Sequence, residues 1–159
     1  MSRPIATTAL LASLALIAGC KGGDAPAMTL QQFMKDKVDP TSKVLFDAVQ
    51  YVSDDTGNHD IVPHTDAEWE RVRQAAADLQ AQGKQLQDPA YTKGRNADWT
   101  KMSQDMVTVA KQVEDAAKAK NPDKVFESAG TVYSVCSGCH TVYPPPVNPV
   151  TPASSAAPS

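Results

Sequence analysis

The segment "NPDKVFESAGTVYSVCSGCHTVY", residues 121–143, holds both a helix start signal and the most specific chemistry in the chain. Asn121 is a good N-cap, and Pro122 follows at the first helical position, where its missing N–H costs nothing. From there Val125, Ala129, Val132, Cys136, Cys139 and Tyr143 step by three and four, which predicts one apolar stripe along an α-helix. Residues three apart on a helix share a face and residues four apart nearly overlie each other. Cys136, Cys139 and His140 are therefore expected as one cluster turned toward whatever covers the stripe.

Working back along the chain, the same rhythm recurs. Trp99, Met102, Met106, Val109, Val113 and Ala116 form one stripe, and Trp69, Val72, Ala76, Leu79, Gly83 and Leu86 another. The latter opens with Thr65-Asp66-Ala67-Glu68, a capping box. An earlier segment, Thr29 to about Val52, carries Leu30, Met34, Val38, Thr41, Leu45, Ala48 and Val52 on one face. Pro40 inside it removes an amide donor and crowds the carbonyl four residues back, so a kink or restart is expected near Asp39, with Asp39 as a candidate cap. Residues 53–64 and 88–95 read as separators, with a very short turn at 120–122. Four helices, each with a narrow stripe, hide their seams by packing nearly antiparallel at about 20 degrees. The expected fold is all-α, an antiparallel four-helix bundle over residues 29–143. Its core is rich in alanine and the chain has only three phenylalanines, so a planar cofactor would fill it well.

The Cys-x-x-Cys-His cluster suits a haem. Two thioethers clip the ring to the helix and the adjacent imidazole reaches the iron from the same side; this is the attachment signature of c-type haem. Other readings of the cysteines are weaker. A thioredoxin-like redox pair needs a strand before the motif, where this chain offers helix. A structural zinc needs four ligands, and beyond the motif only distant His59 or His64 remain as good candidates. A plain disulfide leaves the histidine unexplained.

The termini add a location. Met1-Ser2-Arg3-Pro4 precedes an apolar run from Ala9 to Ala18, which reads as an export signal. The run is about half of the ~20 residues a spanning helix needs. Its end, "LIAGC" at 16–20, resembles the lipobox of bacterial lipoproteins. That resemblance implies cleavage after residue 19 and lipidation of Cys20; the competing reading is an ordinary signal peptide with an incidental cysteine. Lys21 stands where those lipoproteins carry aspartate for inner-membrane retention, which implies an outer-membrane anchor facing the periplasm. Residues 20–28 read as a lipidated cysteine and flexible tether, and residues 144–159, "PPPVNPVTPASSAAPS", as a disordered tail. With a formal charge of −3 and mixed signs along the helices, no basic stripe exists for nucleic acid.

A Cys-x-x-Cys-His motif near the end of the last of four helices resembles the cytochrome c′ family, the class II c-type cytochromes, over about Leu30 to Tyr143. The resemblance implies one covalent haem c on Cys136 and Cys139, with His140 as proximal iron ligand. It further implies that the sixth iron position is either open, for NO or CO, or filled by a methionine from the first helix. Met34 matches that element; its other reading is adaptable core filling. Met28 is a weaker candidate in the tether. Met102 and Met106 are expected in the core, as are Trp69 and Trp99. His59 and His64 are expected in solvent. Phe33 and Phe126 flank the apolar faces, either as haem walls or as packing. Arg71, Arg73 and Arg95 either pair the haem propionates or solvate the surface. The expected function is a non-enzymatic electron carrier with redox protein partners, held to the membrane through Cys20; the alternative is a gas-binding haem protein. A homodimer is compatible with the resemblance.

Overall fold

The computed structural model describes residues 28–146. The signal segment 1–19, the lipidation candidate Cys20, the tether up to residue 27 and the tail beyond residue 146 lie outside the described residues. Within them the chain is mostly helical. Its elements are α1 (Leu30–Phe33), a π-helical turn (Met34–Val38), α2 (Asp39–Phe46), β1 (Gln50–Asp54), β2 (Gly57–Ile61), α3 (Asp66–Gln85), α4 (Pro89–Thr92), α5 (Ala97–Lys118) and α6 (Pro122–Val142). α3 packs on α5, α5 on α6, and α2 touches both α3 and α6. None of the described helices is long and apolar enough to cross a membrane.

Local chemistry sets the helix ends. At α3 the Thr65 hydroxyl accepts from the Glu68 N–H at 3.2 Å while Glu68 Oε2 accepts from the Thr65 and His64 N–H groups, each at 2.8 Å. A second box, Thr29 with Gln32, opens α1. Asn121 Oδ1 accepts from the Lys124 N–H at 3.0 Å, as the Asn-Pro start of α6 predicts. Just past the end of α5, Lys120 takes a left-handed φ of 49°. The Asn121 N–H then bonds Ala116 O at 3.1 Å and the Lys120 N–H bonds Ala117 O at 3.0 Å. This is a Schellman closure, and Asn121 serves at once as its last residue and as the cap of the next helix. The turn between α5 and α6 is short for that reason.

Pro40 does not restart the helix. The backbone stays helical through it, and Asp39 has helical angles with no side-chain cap, so the expected cap at Asp39 is not there. Instead the Asp39 N–H reaches back five residues to Met34 O. The wider π-helical turn absorbs the conflict that the proline ring makes with the preceding turn. Lys37 O, close to the disturbed ladder, accepts from Thr41 Oγ1 at 2.8 Å and Gln82 Nε2 at 3.3 Å.

Two further expectations change. The first helical segment stops at Phe46 rather than near Val52, and the separator at 53–64 is largely a β-hairpin, so the chain is not purely α. β1 and β2 pair antiparallel from Gln50↔Ile61 to Asp54↔Gly57 around a two-residue turn. Asp54 Oδ1 accepts from the Thr56 N–H at 2.8 Å and its hydroxyl at 2.7 Å, and Gly57 takes φ 126°, a conformation strained for other residues. Tyr51 anchors the hairpin on α6 by setting its ring 5.0 Å from Phe126 and donating its hydroxyl to Asp123. The separator at 88–95 contains α4, whose Tyr91 is buried against Phe33 at 5.2 Å between ring centroids.

The core is filled by the expected stripes of α3 and α5. Trp69, Val72, Ala76, Leu79, Gly83 and Leu86 are all buried, as are Trp99, Met106, Val109, Val113 and Ala116, while Met102 is partly so. Gly83 marks a close approach of the two helices. A Cβ there would lie 2.8 Å from Val107 Cγ2 and 3.1 Å from Ser103 O. Alanine usually stabilises a helix relative to glycine, but here overpacking opposes it. Gly83→Ala is therefore expected to destabilise by about 1–3 kcal/mol, read as a lower urea midpoint; a raised midpoint would refute the close approach.

One carboxylate is built into the seam between α3 and α5. Glu114 is 9% exposed and accepts from Lys118 Nζ at 2.7 Å and Gln80 Nε2 at 2.9 Å, with Arg73 Nη1 at 3.4 Å. The Lys118 and Gln80 bonds hold its carboxyl down at about 2. A depressed carboxyl stabilises the fold above its unfolded pKa and loses that contribution as pH falls toward the folded value. The difference in melting temperature between wild type and Glu114→Gln is thus expected to be largest at neutral pH and to shrink between about pH 4.5 and 2. A difference independent of pH would contradict it.

Candidate functional site

α6 brings the cysteines to one face but covers them progressively less toward its end. Val125 and Val132 are fully buried and Ala129 nearly so, whereas Cys136, Cys139 and Tyr143 on the same stripe are only half-buried. Residues at the start of the described chain border the same core in the same way: Met28, Leu30 and Met34 are partly buried against it, as are Val135, Cys136 and Tyr143 from α6. Met28, expected in the tether, is tied down by its carbonyl, which accepts from the Tyr91 hydroxyl at 3.0 Å.

Both motif cysteines are free thiols. Burial pushes each of them up from the ordinary thiol range; the charge of Cys139 adds to this at Cys136, and the nearby positive charge of Arg95 opposes it at Cys139. They lie in the last two turns of α6, where helix carbonyls also disfavour a thiolate. Reactive redox pairs sit in the opposite environment, near a helix N-terminus with a lowered thiol pKa. His140 is exposed, so the expectation that all three motif residues turn inward holds for the thiols in part and not for the imidazole.

Several groups close the end of α6. The Tyr143 N–H bonds Cys139 O at 2.8 Å, its ring meets Trp99 edge-on at 5.1 Å, and its hydroxyl donates to Asn96. Trp99 is 2% exposed and donates its indole N–H to Leu86 O at 2.7 Å. Gly138, between the cysteines, faces open space: a Cβ added to it would meet nothing within 4 Å. Among the described residues no three His, Cys, Asp or Glu side chains converge on a metal position. Covalent haem does not require such convergence, because its two thiols bond the ring edge and only the imidazole reaches the metal. The donor set of two free, half-buried thiols and an adjacent exposed imidazole fits that group.

The other candidates are scattered. Met34 is half-buried within the π-helical turn, and Phe33, expected to flank the apolar face, is 2% exposed in the core. Phe126 is 49% exposed and packs on the hairpin, away from any interior wall. His59 pairs with Asp54 at 2.9 Å on the exposed hairpin, and His64 is exposed ahead of α3. The residues that sequence reasoning missed are Asn96 and Tyr91; an aromatic followed at short range by Arg and Asn before a helix was the available signal. In comparison with known proteins, the chain matches no family model, no curated protein and no solved structure.

Proposed function

We propose that this chain is an exported monohaem c-type cytochrome that carries single electrons between redox partner proteins. In this reading α1–α2, α3, α5 and α6 are the four members of a cytochrome c′-like bundle. Cys136 and Cys139 hold the haem covalently, His140 is the proximal ligand, and Met34 is the distal one. Cys20 carries a lipid anchor that keeps the protein at the periplasmic face of the outer membrane. The observation that supports it best is the pair of free, half-buried thiols on one helical face with an exposed imidazole on the next residue. The bound haem would supply one-electron exchange.

The protein's own residues have simpler tasks. Cys136 and Cys139 would hold the ring at the less covered end of the α6 stripe, and Val135, partly buried on the same core as Met28 and Leu30, would give it an apolar neighbour. His140, exposed on the residue after Cys139, would supply the imidazole ligand to the iron of a haem held on the two thiols. Met34, as a thioether ligand, would favour the reduced state. No proton-transfer group is needed. A lipid anchor would raise the effective concentration of partners on the same membrane.

The test is an absorption spectrum of the full chain, produced with a cytochrome c maturation system, oxidised and reduced, with and without CO. A low-spin spectrum that Met34→Ala converts to high spin and that CO barely alters supports the electron carrier. A high-spin spectrum that shifts readily with CO replaces it by gas binding and returns Met34 to core packing.

A further inference from the structure

Three arginines are candidates for a cation beside the cofactor, and their surroundings separate them. Arg73 is engaged elsewhere, with Nη2 2.5 Å from Glu70 and Nη1 3.4 Å from Glu114. Arg71 lies along a groove between α2 and the start of α3. Arg95 is different: it is half-buried, its guanidinium carbon lies 4.2 Å from the centre of the Trp99 ring, and Nη1 donates to Tyr91 O at 2.5 Å. None of the ion pairs among the described residues involves it. Through Trp99 it adjoins Tyr143, which is bonded in turn to Cys139.

We infer that Arg95, clamped between the Tyr91 carbonyl and the Trp99 ring, is the fixed cation that raises the reduction potential of a haem held on Cys136 and Cys139. The inference rests on the covalent-haem reading above. A guanidinium stays charged at every working pH, and its planar fork suits simultaneous stacking and hydrogen bonding. Held in that way, the charge does not swing out to solvent, and partial burial limits its screening by salt. Among the described residues no carboxylate pairs with it to cancel that charge. Of the three arginines it is the one linked through Trp99 and Tyr143 to the Cys139 turn, so the reduced state of a haem held there would gain from it most. The propionates of a haem leave the ring on the edge away from the thioethers, so proximity to Cys139 assigns Arg95 to tuning rather than to propionate pairing. The same proximity is felt at the Cys139 thiol, whose rise on burial it partly offsets.

The experiment is a potentiometric titration of the full, haem-loaded chain as wild type, Arg95→Gln, Arg95→Lys and Arg71→Gln, with covalent loading and spin state recorded for each. Arg95→Gln is expected to load haem normally and keep its spin state. Its reduced-to-oxidised ratio at fixed solution potential should fall about tenfold, a shift of about 59 mV for one electron. Arg95→Lys should recover most of the shift, and Arg71→Gln, the same charge change at a distant site, should move little. An unchanged potential in Arg95→Gln, an equal shift in Arg71→Gln, or a shift accompanied by altered spin state and not rescued by lysine each overturns the inference while leaving the haem reading intact. A wild type that loads no covalent haem overturns both.

Discussion

Replacing Cys136 and Cys139 together by alanine is expected to abolish covalent haem while leaving the helical fold. The thiols are half-buried at the least covered end of α6, so their loss removes little packing. Val125 and Val132, which seat the helix on the core, are untouched. The check is haem staining after denaturing electrophoresis alongside far-ultraviolet circular dichroism. Loss of stain with unchanged helical signal is the expected pair of results. Retained stain would place the attachment on other residues, and loss of the helical signal would make the cysteines structural.

The second large effect is at Trp99. Its side chain is 2% exposed, donates to Leu86 O at 2.7 Å, meets Tyr143 edge-on and underlies Arg95. Trp99→Ala should cost about 3–5 kcal/mol from lost packing and the cavity left behind. Leaving Leu86 O without its indole donor adds to the penalty. Trp99→Phe keeps most of the ring but not the N–H, and should cost less than the alanine variant. Urea midpoints measure both. A Trp99→Ala cost below about 1 kcal/mol, within the range of ordinary surface substitutions, would mean that Trp99 does not tie α5 to the turn before it.

The helical framework is legible wherever apolar spacing and cap chemistry agree. α3 and α5 carry stripes of three- and four-residue steps, and those stripes are what the core buries. Thr65 with Glu68, and Asn121 with Pro122, mark their helix starts because the side-chain acceptors lie within the segment itself. The hairpin is not legible because its second strand is exposed along its whole length and carries no apolar alternation. Its signals are instead Asp54, Thr56 and Gly57, which are turn chemistry and occur equally in loops. Pro40 is legible in part: a kink or restart is expected near Asp39, and the ladder does leave the α pattern over Met34–Val38, but as a π-helical turn and without a cap at Asp39.

For the candidate site, spacing identifies the cluster but not its exposure. Helical geometry puts Cys136, Cys139 and His140 on neighbouring positions, yet how the end of α6 is covered depends on distant residues such as Asn96 and Trp99, which meet Tyr143. The segment 88–95 reads in sequence as a separator, although it and the following Asn96 bring Tyr91, Arg95 and Asn96 toward Phe33, Trp99 and Tyr143. For Phe33 the packing reading holds, but its partner Tyr91 is not legible in sequence for the same cause. Contacts between residues distant in sequence leave no periodic trace, so the cationic neighbour of the motif emerges only from the fold.

The most direct measurement is the intact mass of the purified full-length protein, produced with a cytochrome c maturation system, under denaturing conditions and after acid–acetone extraction, followed by peptide mapping. The account predicts one haem retained through extraction on the peptide containing Cys136 and Cys139, with both thiols resistant to alkylation. Extractable or absent haem, with both thiols alkylated, would contradict it.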